Sequence, residues 1–138
     1  MYQHTTQIRV RYAETDQMGY LYYGNYAMYY EVGRAEAIRA LGLSYQEMED
    51  NYGVMMPVVS LNMRFVRPAL YDELLTVQTV LRKLPDRFIN FDMEIRNEAG
   101  KLVNGGKVRL CFVEKDSRKS IVAPDCLLEK LAPYFDEA

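Results

Sequence analysis

Between Tyr26 and Leu41 the chain offers a helix with almost no polar side. Tyr26, Tyr29, Tyr30, Gly33, Ala37 and Leu41 recur at helical spacing, and Met28, Val32 and Ala35 add a second apolar stripe. Such a helix has to be covered over most of its circumference. The remainder of the chain can supply the cover, because after Pro57 the pattern changes to period two and stays there. "VVSLNMRFVRP" places Val59, Leu61, Met63 and Phe65 on one face. "ELLTVQTVLRKL" follows a turn at Pro68, and "RFINFDMEIRN" follows the Pro85-Asp86 turn with Ile89, Phe91, Met93 and Ile95 inward. Lys101 to Glu114 forms the last long strand, with Val108, Leu110 and Phe112 inward. Strands this long in succession imply an antiparallel meander, and the economical packing is an α+β one in which the sheet wraps around the helix.

The shorter signals agree. "TTQIRVRY", Thr5 to Tyr12, reads as a first strand. Gly42 suits a helix stop, and Ser44 with Glu47 fits a capping box for a second helix to about Asp50. "EAG" marks a hairpin turn. Asn104-Gly105-Gly106 would leave only a three-residue strand before it if it were a turn, so a bulge or close backbone approach inside the strand is expected. A short helix is expected from Asp125. At 138 residues the chain fits one domain, 1–138. One curved sheet covers only part of the helix, and its edges also need protection, so a homodimer or dimer of dimers is expected.

Several classes of function are disfavoured. A formal charge of −2 with no basic stripe argues against nucleic acid. A polar N-terminus and short apolar runs argue against a leader or membrane insertion, leaving the cytoplasm as the expected location. Cys111 and Cys126 have neither metal-ligand nor C-x-x-C spacing, so reduced thiols and no metal site are expected. His4 is the only histidine and reads as a surface residue on a loose N-terminus, which removes histidine-based triads.

What remains is the approach to the helix, "TDQMGYLYYGNY", where one carboxylate, Asp16, precedes a run of tyrosines. Asp16 taken alone fits a turn or cap aspartate. A helix beginning near Tyr22 to Asn25 would also point unpaired N–H groups towards it. Glu31 sits one turn further along, spaced to pair with Arg34 or to reach a ligand.

"RVRYAETDQMGYLYYGNY", Arg9 to Tyr26, resembles the signature of the 4-hydroxybenzoyl-CoA thioesterase family of hotdog-fold enzymes, matched at Arg9, Val10, Thr15, Asp16, Gly19, Tyr23 and Tyr26. The stretch "VVSLNMRFVRPALYDELLTV" extends the likeness. Tyr20 and Leu21 depart from the usual aliphatic pair, and Tyr23 stands where one branch of the family has histidine. The resemblance implies an acyl-CoA thioesterase releasing a free acid and CoA, with no cofactor beyond the CoA of the substrate. It implies Asp16 as catalytic carboxylate, acting as general base or nucleophile. The Tyr23 or Gly24 backbone N–H would polarise the carbonyl, and Tyr26 would line the site. Arg67 and Arg87 are candidates for the CoA phosphates. An acyl-carrier-protein thioesterase and a non-catalytic acyl-CoA-binding protein are the alternatives.

Overall fold

The computed structural model describes residues 1–135; the last three residues of the expected 1–138 domain lie outside it. β1 (Tyr2–Arg9) leads through two short 3-10 turns into α1 (Tyr26–Arg39), followed by α2 (Tyr45–Tyr52). A two-residue strand, β2 (Val54–Met55), precedes β3 (Val58–Phe65), β4 (Leu74–Leu81), β5 (Phe88–Arg96) and β6 (Leu102–Glu114). A second short strand, β7 (Ser120–Ile121), and α3 (Asp125–Leu131) complete the chain. This is the antiparallel α+β hotdog arrangement, with α1 held against the sheet.

The strands from β4 to β6 form the expected meander, but β3 does not join it beside β4. The order is β1-β4-β5-β6, with β3 on the far side of β6, so the β3–β4 connection crosses the sheet. The period-two pattern reports which face a residue takes and says nothing of which strand it pairs with. β3 is thus an edge strand. Of its four residues expected on one inward face, only Met63 packs against the core, while Val59, Leu61 and Phe65 are exposed. A register irregularity between Val58 and Ser60 breaks the alternation. The first strand also starts earlier than expected, so His4 lies within β1, paired with Thr79, and not on a loose end.

Tyr29, Tyr30, Ala37 and Ile38 bury the sheet-facing side of α1, whereas Met28 and Val32 remain exposed. Tyr2 donates from its hydroxyl to the Ala37 carbonyl at 2.5 Å, and Tyr30 donates to Asn104 Oδ1, fixing the helix's rotation on the sheet. Ser44 caps α2 by accepting the Glu47 N–H at 3.0 Å. The expected hairpin closes at Gly100, whose N–H donates to Asn97 O. β6 runs unbroken through Gly105 and Gly106. There the expected close approach is real, since a Cβ on Gly106 would stand 2.1 Å from the Asn62 carbonyl oxygen.

Candidate active site

The site is assembled by the chain between β1 and α1. Arg11 and Glu14 bracket a 3-10 turn, Tyr12–Glu14, and Glu14 is only 6% exposed. Its carboxylate accepts the Arg11 N–H at 3.1 Å, Arg11 Nη2 at 2.8 Å and the Tyr29 hydroxyl at 2.8 Å. The hydrogen bond from Arg11 above all, with that from Tyr29, holds the Glu14 carboxyl below the usual carboxylate range. Burial, and then the Glu14 carboxylate itself, push the Tyr29 phenol up.

Two residues on, Asp16 organises a tight loop. Its N–H donates to Tyr20 O at 2.8 Å, and its carbonyl accepts the N–H of Gly19, whose φ of +77° suits glycine. Asp16 Oδ1 accepts the N–H groups of Met18 and Tyr20 at 2.9 and 3.1 Å. The turn role that the sequence left open is therefore filled, but by one oxygen alone. Among the described residues, Oδ2 accepts no hydrogen bond. The far limb of the loop is pinned by Leu21 N–H to Ala69 O at 2.8 Å and Tyr71 N–H to Gly19 O at 3.1 Å, which brings the end of β3 beside Asp16.

A second 3-10 turn, Tyr23–Asn25, opens α1. The Glu14 carbonyl accepts both the Tyr22 N–H at 2.9 Å and the Asn25 side-chain amide at 2.8 Å. The Asn25 N–H donates to Tyr22 O, and that of Tyr26 to Tyr23 O. This leaves the N–H groups of Tyr23 and Gly24 without an acceptor among the described residues, at the positive end of the helix dipole.

Asp16, Tyr23, Tyr26, Phe65 and Arg67 line one pocket of about 330 Å³. Tyr26 is buried at its base, and burial raises the pKa of its hydroxyl, with the nearby Glu73 and Asp16 carboxylates acting in the same direction. Phe65 meets the Tyr26 ring edge-on at 5.3 Å and Tyr23 at 6.3 Å. The outer wall stands open, with Tyr23 66% and Phe65 55% exposed.

The structure thus brings together four expected site residues: Asp16, Tyr23, Tyr26 and Arg67, with Gly24 adjacent. Arg87 is not among them. It precedes Phe88, which pairs with Cys111, whereas Phe65 pairs with Asn104. Seven residues of β6 separate those ends, about 23 Å at the rise of a strand. The expected Glu31–Arg34 ion pair is also absent among the described residues. Glu14 was not anticipated; the one sequence signal for it was the Arg11-x-x-Glu14 spacing ahead of the aspartate.

Residues 18–104 match the model of the thioesterase superfamily, a segment that contains Tyr23, Gly24, Tyr26 and Arg67 and begins two residues after Asp16. The Bacillus subtilis protein YneP is 40% identical over 116 residues, covering 83% of each chain. The acyl-CoA thioester hydrolase YbgC of Escherichia coli is 26% identical over 121 residues, covering 88% of this chain and 90% of its own. A DHNA-CoA thioesterase from Staphylococcus aureus superposes with a TM-score of 0.83 at 37% identity, over 98% of this chain and 85% of the other. The order of strands around a central helix, the matched segment and these likenesses agree: the chain belongs to the thioesterase superfamily and has its hotdog fold.

Proposed function

We propose that the protein hydrolyses an acyl-CoA to a free carboxylic acid and CoA, with Asp16 as the reacting carboxylate. The observation that carries this reading is a pocket lined by both Asp16 and Tyr23, where the protein leaves unused one carboxylate oxygen and, among the described residues, the N–H groups of Tyr23 and the adjacent Gly24. The N–H groups of Tyr23 and Gly24 donate to the developing oxyanion, an interaction typically worth about 3 kcal/mol in the transition state. Asp16 Oδ2 takes a proton from water as that water adds to the carbonyl carbon, or adds to it directly and forms an anhydride that water then opens. In either route the C–S bond breaks and CoA leaves as its thiolate, so no cofactor is needed. Arg67, at the rim, meets a CoA phosphate.

The reading includes a homodimer joined along β3. The free edge of that strand and its exposed Val58, Val59, Leu61 and Phe65 form a self-complementary surface that a second β3, running antiparallel, would cover. The same contact closes the open wall beside Phe65. Exposed Met28 and Val32 on α1 offer a separate face on which dimers can pair. No helix is long and apolar enough to cross a membrane among the described residues. The free thiols Cys111 and Cys126 fit a reducing compartment, the cytoplasm.

The test is Asp16→Asn, assayed by thiol release across acyl-CoA and acyl-carrier-protein esters alongside a thermal melt. The amide keeps an oxygen for the Met18 and Tyr20 N–H groups, so the fold survives, while kcat falls at least about a hundredfold. Turnover near the parent rate by a folded variant would sink the mechanism. A parent that cleaves only carrier-protein esters would move the substrate class.

A further inference from the structure

Asn25 stands immediately before α1, where an asparagine side chain ordinarily accepts an N–H of the helix's first turn. It makes no such bond, because that role needs an extended backbone and its φ of −84° and ψ of −13° are already helical. Its amide turns back instead and donates to the Glu14 carbonyl at 2.8 Å. The same carbonyl accepts the Tyr22 N–H at 2.9 Å, so both of its lone pairs are taken by the two ends of one turn. One hydrogen bond would leave the turn free to swing about it. Two fix its orientation as well as its place.

That orientation matters because of what the turn carries. The N–H groups of Tyr23 and Gly24 belong to the peptide planes whose carbonyls are Tyr22 O and Tyr23 O, and in a trans peptide the N–H points opposite to the carbonyl. Tyr22 O accepts the Asn25 N–H at 2.9 Å and Tyr23 O accepts the Tyr26 N–H, so each free donor is aimed by the bond on its own carbonyl. On the other side of the joint, Glu14 is anchored independently. The Thr15 N–H, which shares the peptide plane of the Glu14 carbonyl, donates to Tyr12 O at 3.1 Å, and the Glu14 carboxylate accepts the Tyr29 hydroxyl at 2.8 Å. Asp16 follows two residues after Glu14, so the Asn25–Glu14 bond ties the turn that carries the donors to the stretch that carries the carboxylate.

We infer that Asn25 is a positioning residue of the reaction: it does not line the pocket, and by holding the Glu14 carbonyl it keeps the Tyr23 and Gly24 N–H groups trained on the thioester carbonyl beside Asp16. The inference rests on the acyl-CoA reading above and adds a residue to the same site. An oxyanion donor removed altogether typically costs about a hundredfold to a thousandfold in kcat. Loss of the Asn25 amide leaves both N–H groups in place but lets them turn. A hydrogen bond weakens steeply with angle, so a smaller loss of about tenfold or more is expected. It should fall on kcat and kcat/KM alike, because the donors act on charge that develops only in the transition state.

The experiment uses Asn25→Ser and Asn25→Ala. Both residues have helix propensities at least as favourable as asparagine's and neither adds charge, so a role confined to starting the helix would survive either change. Neither replaces the tether, since a serine hydroxyl ends where the asparagine Cγ stood, short of the Glu14 carbonyl. Steady-state thiol release is measured on hexanoyl-, decanoyl- and benzoyl-CoA, well below the Tm of each variant. Both variants should lose about tenfold or more in kcat with KM within about threefold of the parent's, and equally on every ester that the parent cleaves, because the carbonyl is common to all. Parent-like kcat in Asn25→Ser, a loss carried by KM alone, or a loss on one ester and not the others would overturn the assignment. Failure of both variants to fold would also overturn it, by making Asn25 a residue of the scaffold. Each of these results leaves the acyl-CoA reading standing. A parent with no turnover on any acyl-CoA would overturn that reading and this inference with it.

Discussion

Glu14→Gln tests whether the buried carboxylate beneath the site is needed as a charge. Gln keeps one carbonyl oxygen where Oε1 stood, so the Arg11 N–H and the Tyr29 hydroxyl still find an acceptor, but a neutral one. Hydrogen bonds to a charged group are roughly twice as strong as neutral ones, so each loses about 1 kcal/mol, or ~2 kcal/mol together. The Arg11 guanidinium adds little to that sum, since its side chain is 74% exposed and its attraction is screened. For a chain of 138 residues, ~2 kcal/mol corresponds to a fall in Tm of about 8 °C at pH 7. The pH dependence gives the sharper test. The folded-state pKa of Glu14 is lowered, so its stabilisation is complete above the unfolded carboxyl value of about 4.3 and is lost as pH falls through the folded value. The gap in Tm between parent and variant should therefore narrow progressively as pH falls below about 4. Melts followed by circular dichroism at a fixed protomer concentration, at pH 7 and pH 3.5, measure it. A fall below 2 °C at neutral pH, or one equally large at pH 3.5, would refute the argument.

Other outcomes follow from the same geometry. Arg67→Ala should raise KM several-fold with kcat little changed in steady-state assays, as expected of a phosphate contact remote from the reacting bond. Gly106→Ala should be insoluble or lose roughly 3 kcal/mol in urea melts, because its Cβ would strike backbone at Asn62. Gly19→Ala meets no atom within 4 Å and should lose only about 1 kcal/mol, the strain of its positive φ. Light scattering should give a mass of at least twice 16.1 kDa, and Leu61→Lys on the exposed edge should lower it to that of one chain.

The parts of the fold legible in the sequence are those written in local periodicity. α1, the Ser44 cap, the Gly100 hairpin and the strands β4 to β6 all fall close to where pattern places them. The seat of β3 beside β6 was illegible, because alternation records the face of a strand and not its neighbour. The site divides along the same line. Asp16, Tyr23, Gly24 and Tyr26 lie within eleven residues of chain, and their spacing is enough to bring them together. The burial of Arg34 had no such signal: it looked like the partner of Glu31 at helical spacing, and only tertiary packing reveals that its side chain is buried, with Nε left without a partner. Arg87 lies outside the pocket of its own protomer, because the turn that precedes Phe88 sits at the far end of β6 from the residue that Phe65 pairs with.

Gly106 bears on more than the interior in which it sits. With the Asn62 carbonyl occupying the space where any other residue would place its Cβ, β3 can lie against β6 in one alignment only. A slip of two residues would press Asn104 or Val108 into that space. The opposite edge of β3 is thereby held at a fixed offset from α1, and a second protomer that uses this edge as its template inherits the offset. Were the offset wrong by two residues, a strand added along that edge would be displaced by about 7 Å relative to α1. In the proposed dimer, a single missing methyl group inside one subunit would thus work as the alignment pin for a joint that it never touches.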